Sequence, residues 1–99
     1  MKYKYYVLDG HEPKGTDDIM ELAKVLESKD RVVDNTKIGD VTVSTVFLGL
    51  DHQYGIGEPL LFETMIFGGV HDQYQERYST WDEAVAGHKF ACDMVSVKN

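Results

Sequence analysis

Two alternating apolar runs, from Val41 to Leu48 and from Leu60 to Phe67, constrain this chain more than any other feature. In the first, Val41, Val43, Thr45 and Phe47 fall on one side and Thr42, Ser44, Val46 and Leu48 on the other. That two-residue period is the signature of a β-strand. Large apolar groups on both sides predict a strand inside a sheet, not at its edge. The second run has the same character. The gap between the runs contains glycines and suits a longer hairpin loop, so the two are expected as antiparallel neighbours. Gly68 and Gly69 end the second run.

Around this pair the chain offers weaker signals. Residues 3 to 9, "YKYYVLD", mix aromatic and β-branched residues and predict a first strand, stopped by Gly10 and Pro13 in "GHEPKG". Thr16 or Asp17 is placed to cap a helix whose apolar stripe is Ile19, Leu22, Ala23 and Leu26. "RVVDNT" predicts a short strand, "KIGD" a turn and "YQERYS" an edge strand, because its polar residues tolerate exposure. "TWDE", residues 80 to 83, matches a capping box, in which the threonine hydroxyl and the glutamate carboxylate satisfy backbone N–H groups reciprocally. The helix it opens carries Trp81, Val85, His88, Cys92 and Val95 at helical spacing, with Ala84 and Ala91 flanking, which predicts a buried stripe that includes His88.

The expected order is β-α-β-β-β-β-α. That is an α+β fold, an antiparallel sheet of four to five strands with two helices packed on one face. With 99 residues the chain builds one core and not two, so a single domain over residues 1–99 is expected. The opposite sheet face keeps enough apolar and aromatic residues to predict a homo-oligomer or a ligand surface.

Composition narrows the function classes. Seventeen acidic against ten basic residues give a formal net charge of -7, which repels phosphate backbones and argues against binding duplex nucleic acid. Cys92 is the sole cysteine, so neither an internal disulfide framework nor a cysteine-based zinc cluster is available, and a reducing, cytoplasmic setting is expected. No apolar run approaches the length of a membrane span, about 18 residues or more, and the opening residues lack the pattern of a leader peptide. "GIGEPL" joins two strands and lacks the third glycine of a dinucleotide loop, and the chain has no phosphate-loop, zinc-helix or nucleophile-elbow motif.

The residues with acid-base or ligating capacity near apolar structure are Asp51, His52, Glu63, His71, Asp72 and His88. Alternation sends Asp51 and His52 to opposite faces, which opposes a tight dyad. Glu63 interrupts an apolar strand and needs a partner, for which Arg77 is the candidate. His88 reads more readily as a core histidine bonded to the sheet than as a ligand-binding group. The aromatic residues, among them Tyr54 and Tyr78, could stack a base or ring while Arg31 or Arg77 holds a phosphate.

The blocks "VSTVFLGLDH", "PLLFETMIFGG" and "ERYSTWDEAVAGH" resemble a family of small uncharacterised proteins found in bacteriophages and prophage-bearing bacterial genomes. The resemblance covers about residues 31 to 92. It implies a phage context, a host-cell cytoplasmic location and a shared site among Asp51, His52, Glu63, Thr64, Arg77, Tyr78, Trp81 and His88, with no established activity. The resulting expectation is a non-enzymatic phage accessory protein without metal or cofactor. It binds a small host-derived ligand or partner through His52, Glu63, Arg77, Tyr78 and His88, and sequestration of a nucleotide immune signal is one form this takes. The alternatives are a small metal-assisted hydrolase using Asp51, His52, Glu63 and His88, and an acidic decoy of a DNA-binding host protein.

Overall fold

The computed structural model describes residue 3 and residues 5–52 and 56–96. Strand β1 (Tyr5–Asp9) turns back at once as β2 (Glu12–Thr16). The register pairs Asp9 with Glu12, leaving a two-residue turn of Gly10 and His11. Gly10 sits at φ 63°, the left-handed conformation that the first position of such a hairpin turn favours in glycine. The stop expected in "GHEPKG" is therefore a reversal, and Pro13 is accommodated in a two-stranded ribbon opposite Leu8.

Helix α1 (Ile19–Glu27) follows. Its cap is Asp18, whose carboxylate accepts from the Met20 N–H at 2.9 Å. The cap is thus neither Thr16 nor Asp17; Thr16 stands two residues before it, accepting from the Asp18 N–H and donating to the Glu21 carboxylate. A 3-10 turn, Lys29–Arg31, leads into the main sheet of β3 (Val32–Ile38), β4 (Val41–Phe47), β5 (Phe62–Phe67) and β6 (Gln75–Tyr78). These four strands form an antiparallel meander in chain order. The long apolar runs pair as neighbours, Thr45 opposite Thr64 and Phe47 opposite Phe62. Helix α2 (Trp81–Ser96) then crosses the sheet.

One sheet face is dry. Val43, Thr45 and Phe47 of β4 and Phe62, Thr64 and Ile66 of β5 are each 0% exposed beneath α2. Helix α2 meets them with Ala84, His88 and Ala91, a contact side rotated toward the alanines that flank the expected stripe, of which Trp81, Cys92 and Val95 still pack on the core while Val85 is 49% exposed. The small side chains explain the rotation, because they let the helix axis approach the sheet more closely than valine permits. Gly87 carries this furthest. A Cβ there would fall inside 3.0 Å of the Tyr78 ring and hydroxyl.

Helix α1 and the hairpin close the same core at the N-terminal end of α2. Tyr6, Phe47, Leu61, Phe62 and Ala84 cluster there, with Val25, Leu8 and Trp81 packed around them. The Tyr6 N–H donates to the Gly49 carbonyl at 2.8 Å, tying the hairpin to the end of β4. The architecture is the α+β arrangement that the pattern of the chain predicts, a four-stranded antiparallel sheet with α2 against it and a two-stranded ribbon added. No described helix is long and apolar enough to cross a membrane.

The other face of the main sheet carries Thr42, Ser44 and Val46 on β4 and Glu63, Met65 and Phe67 on β5. They are half-buried, except for Phe67, which is 44% exposed. The aromatic residues of these two strands thus divide unevenly, with Phe47 and Phe62 under the helix and Phe67 alone on the open side.

Candidate functional site

The sheet separates the polar residues that the sequence singles out. Glu63 pairs with Arg77 across β5 and β6, and Phe62 with Tyr78. Adjacent strand residues point to opposite faces. Glu63 and Arg77 therefore lie on the open face, Tyr78 and His88 on the dry one.

On the open face the Glu63 carboxylate accepts from Arg77 Nε at 3.0 Å and from the Gln75 amide. Arg77 is thus the partner that Glu63 requires. The Glu63 side chain is 13% and that of Arg77 31% exposed, and water screening limits such a pair to about 1 kcal/mol.

On the dry face His88 is 4% exposed. Its Nδ1 lies 2.7 Å from Thr45 Oγ1 and its Nε2 2.9 Å from Thr36 Oγ1. Thr45 in turn makes a short hydroxyl bond to Thr64. A neutral imidazole has one donor and one acceptor, so one threonine accepts from the ring and the other donates to it. Burial pushes the His88 pKa below the ordinary imidazole value, and the Asp34 carboxylate, 3.7 Å from Nε2, only partly opposes the effect. The order Asp34, His88, Thr45 superficially matches a nucleophilic triad. Thr45 is 0% exposed, however, so no substrate reaches its hydroxyl. The chain of bonds satisfies buried polar groups and fixes the register of α2 on the sheet.

Tyr78 completes this layer. Its ring packs on α2 at Gly87, and its hydroxyl is buried near Thr64 without a hydrogen bond of good geometry among the described residues. Desolvation raises its pKa, Thr64 working against that and the charges of Tyr74 and Glu76 adding to it.

Asp51 belongs to the loop, its carboxylate accepting from the Leu60 N–H at 2.9 Å. The His52 N–H donates to the Leu60 carbonyl, and its side chain is half-buried at the loop's entry. Tyr54 lies outside the described residues. His71 and Asp72 stand in the β5–β6 turn, where Asp72 accepts from the Gly68 N–H. Asp51, His52, Glu63 and His88 do not converge, and no group of three ligating side chains forms a metal cage among the described residues.

A different constellation forms where the hairpin turn meets the start of α2. The His11 imidazole lies flat on the Trp81 indole, with ring centroids 3.8 Å apart and planes 4° from parallel. Trp81 is held from behind by an edge contact with Phe62 at 6.1 Å. The capping box fixes its backbone, since the Glu83 N–H donates to Thr80 Oγ1 and the Glu83 carboxylate accepts from the Thr80 N–H, both at 3.1 Å. Beside the stack opens a cleft of about 370 Å³ lined by Leu8, Gly10, Lys29, Asp30 and Val32. Neither Lys29 nor Asp30 has an ion-pair partner among the described residues. None of His52, Glu63, Arg77, Tyr78 and His88 lines this cleft.

His11 does not stand out in the sequence, because Gly10 and Pro13 make "GHEPKG" read as a break. The signal was present in "DGHE", a glycine-containing two-residue turn between strand-forming residues. Trp81, a member of the expected buried stripe, is half-buried against the core cluster around Phe62. No protein family, characterised relative or solved structure matches the chain, and the geometry of the sites carries the functional reading.

Proposed function

We propose that the protein is a non-enzymatic binding protein for a small planar anion, held in the cleft between the β1–β2 turn, the 3-10 turn and the start of α2. The observation that carries this reading is the His11–Trp81 stack beside an uncommitted Lys29 and Asp30. An exposed ring lying flat on an anchored indole extends naturally to a third ring. Lys29 supplies a point charge for a phosphate or carboxylate. Asp30 accepts a hydrogen bond from an amino or hydroxyl group of the same ligand. A nucleotide combines all three features, and the cleft volume stands at the lower end of ordinary small-molecule sites, about 300–1,000 Å³. The net charge of -7 opposes an anion at long range, but screening over about 8 Å at physiological salt leaves the local lysine dominant.

With the resemblance to phage proteins, the proposal extends to a host-derived nucleotide that is sequestered without turnover in the host cytoplasm. Burial of the His88 ring, which meets both Thr45 and Thr36, and of the Thr45 hydroxyl itself argues against turnover through these pairs. The test is to incubate the pure protein with mononucleotides and cyclic dinucleotides, with and without divalent metal, and to follow both binding and product formation. The reading predicts a rise in thermal midpoint with the ligand recovered intact. New products, or no shift with any nucleotide at millimolar concentration, would contradict it.

A further inference from the structure

We infer that the open face of the main sheet is the interface of a symmetric dimer, with a second copy of this chain as its occupant. The first observation is charge. At the strand positions of this face Lys37 and Arg77 stand against Glu63, a balance of one positive charge on a chain of net -7. Docking through this face brings no acidic patch against another.

The second observation is the arrangement of the row of residues across the face. Asn35, Ser44, Met65 and Gln75 lie side by side through the four strands, uncharged throughout. Val46 and Phe67 flank this row on the two central strands. Depletion of charge at the centre, with methionine and an aromatic in place, is the compositional mark of an interface core. Among the described residues no helix or strand packs on this face as α2 packs on the other.

The third observation is self-complementarity. Glu63 uses Oε2 for both Gln75 and Arg77, and Arg77 uses only Nε. Glu63 Oε1 and both terminal nitrogens of Arg77 have no partner among the described residues. An unused acceptor and unused donors of matching chemistry therefore sit side by side on one patch. A two-fold axis brings the donors of one copy to the acceptor of the other and repeats the contact in reverse, which an isologous interface requires. Four strands about 4.8 Å apart and some six residues of about 3.4 Å each give a modest patch. At about 400 Å² per copy it falls below the roughly 1,200 Å² total of stable interfaces, so the association is weak and concentration-dependent.

The experiment is sedimentation equilibrium of the full chain from about 1 to 200 µM, with circular dichroism and thermal midpoint as folding controls. The expected mass rises with concentration from 11.2 kDa toward twice that value. Phe67→Glu, at an exposed position, and Ser44→Lys, in the central row, each hold the chain at the single mass with an unchanged midpoint. A wild-type chain that stays at 11.2 kDa throughout overturns the inference. So does a dimer that survives both folded variants, or a face that binds an added acidic protein while the chain alone remains monomeric.

Discussion

Replacing Gly87 by alanine tests how closely α2 lies on the sheet. The added methyl would fall inside 3.0 Å of the Tyr78 hydroxyl and ring, where ordinary contact begins near 3.4 Å. Tyr78 cannot simply swing away, because it pairs with Phe62 in the ladder and packs against the core cluster of Phe47, Phe62 and Ala84. Overpacking of this kind costs about 1–3 kcal/mol. Against it stands the helical preference of alanine over glycine, about 1 kcal/mol in the interior of a helix. The expected net effect is a loss of about 1 kcal/mol, read as a lower urea midpoint with an unchanged slope. The decisive comparison uses a Tyr78→Leu background, in which the ring is gone. There Gly87→Ala should gain about 1 kcal/mol from the helix preference alone. A substitution that changes sign between the two backgrounds establishes the contact. If Gly87→Ala stabilises equally in both, the close approach of helix and sheet is wrong and so is the account of why α2 presents Ala84, His88 and Ala91.

Three further outcomes follow from the same layer and from the open face. Because folding lowers the His88 pKa, the unfolded chain binds a proton that the native chain does not, so stability is complete above the ordinary imidazole value of 6.5 and declines as pH falls through the folded pKa; urea titrations from pH 8 to 5 should show this decline in the wild type and a shallower one in His88→Gln. Tyr78→Phe removes a buried hydroxyl without a good hydrogen bond, and thermal unfolding should show it unchanged or more stable by about 1 kcal/mol. Glu63→Ala leaves Arg77 partly solvated and should cost about 1 kcal/mol with the fold retained; an unfolded variant by circular dichroism would give this pair a structural weight that its exposure does not support.

The strands at the centre of the sheet were legible because two-residue alternation survives in any register, and the capping box at Thr80 fixed the start of α2 to the residue. The hairpin was not legible. Pro13 and Gly10 read as breakers when each is counted alone, yet Gly10 at φ 63° is what allows the chain to reverse. The rotation of α2 was hidden for a related reason, since hydrophobic periodicity favours Val85, whereas a close helix-sheet contact selects the smaller Ala84. Glu63 and Arg77 could be paired from sequence, because a carboxylate in an apolar strand demands a partner. Their separation from His88 could be reached only once the register was known, since a shift by one residue exchanges the two faces. The His11–Trp81 stack joins residues seventy apart in the chain, a meeting that no local pattern announces.

The measurement closest to the central claim uses Trp81, the chain's one tryptophan, as its own reporter. Fluorescence excited at the red edge of indole absorption should be titrated with adenosine 5′-monophosphate, adenosine and inorganic phosphate. The account predicts saturable quenching by the nucleotide, weaker quenching by adenosine and almost none by phosphate. His11→Ala should weaken the nucleotide response at least tenfold, and Lys29→Ala should reduce it to that of adenosine, both with an unchanged thermal midpoint. Quenching that is linear in all three probes, or that is saturable but indifferent to His11 and Lys29, would contradict a ligand site in this cleft.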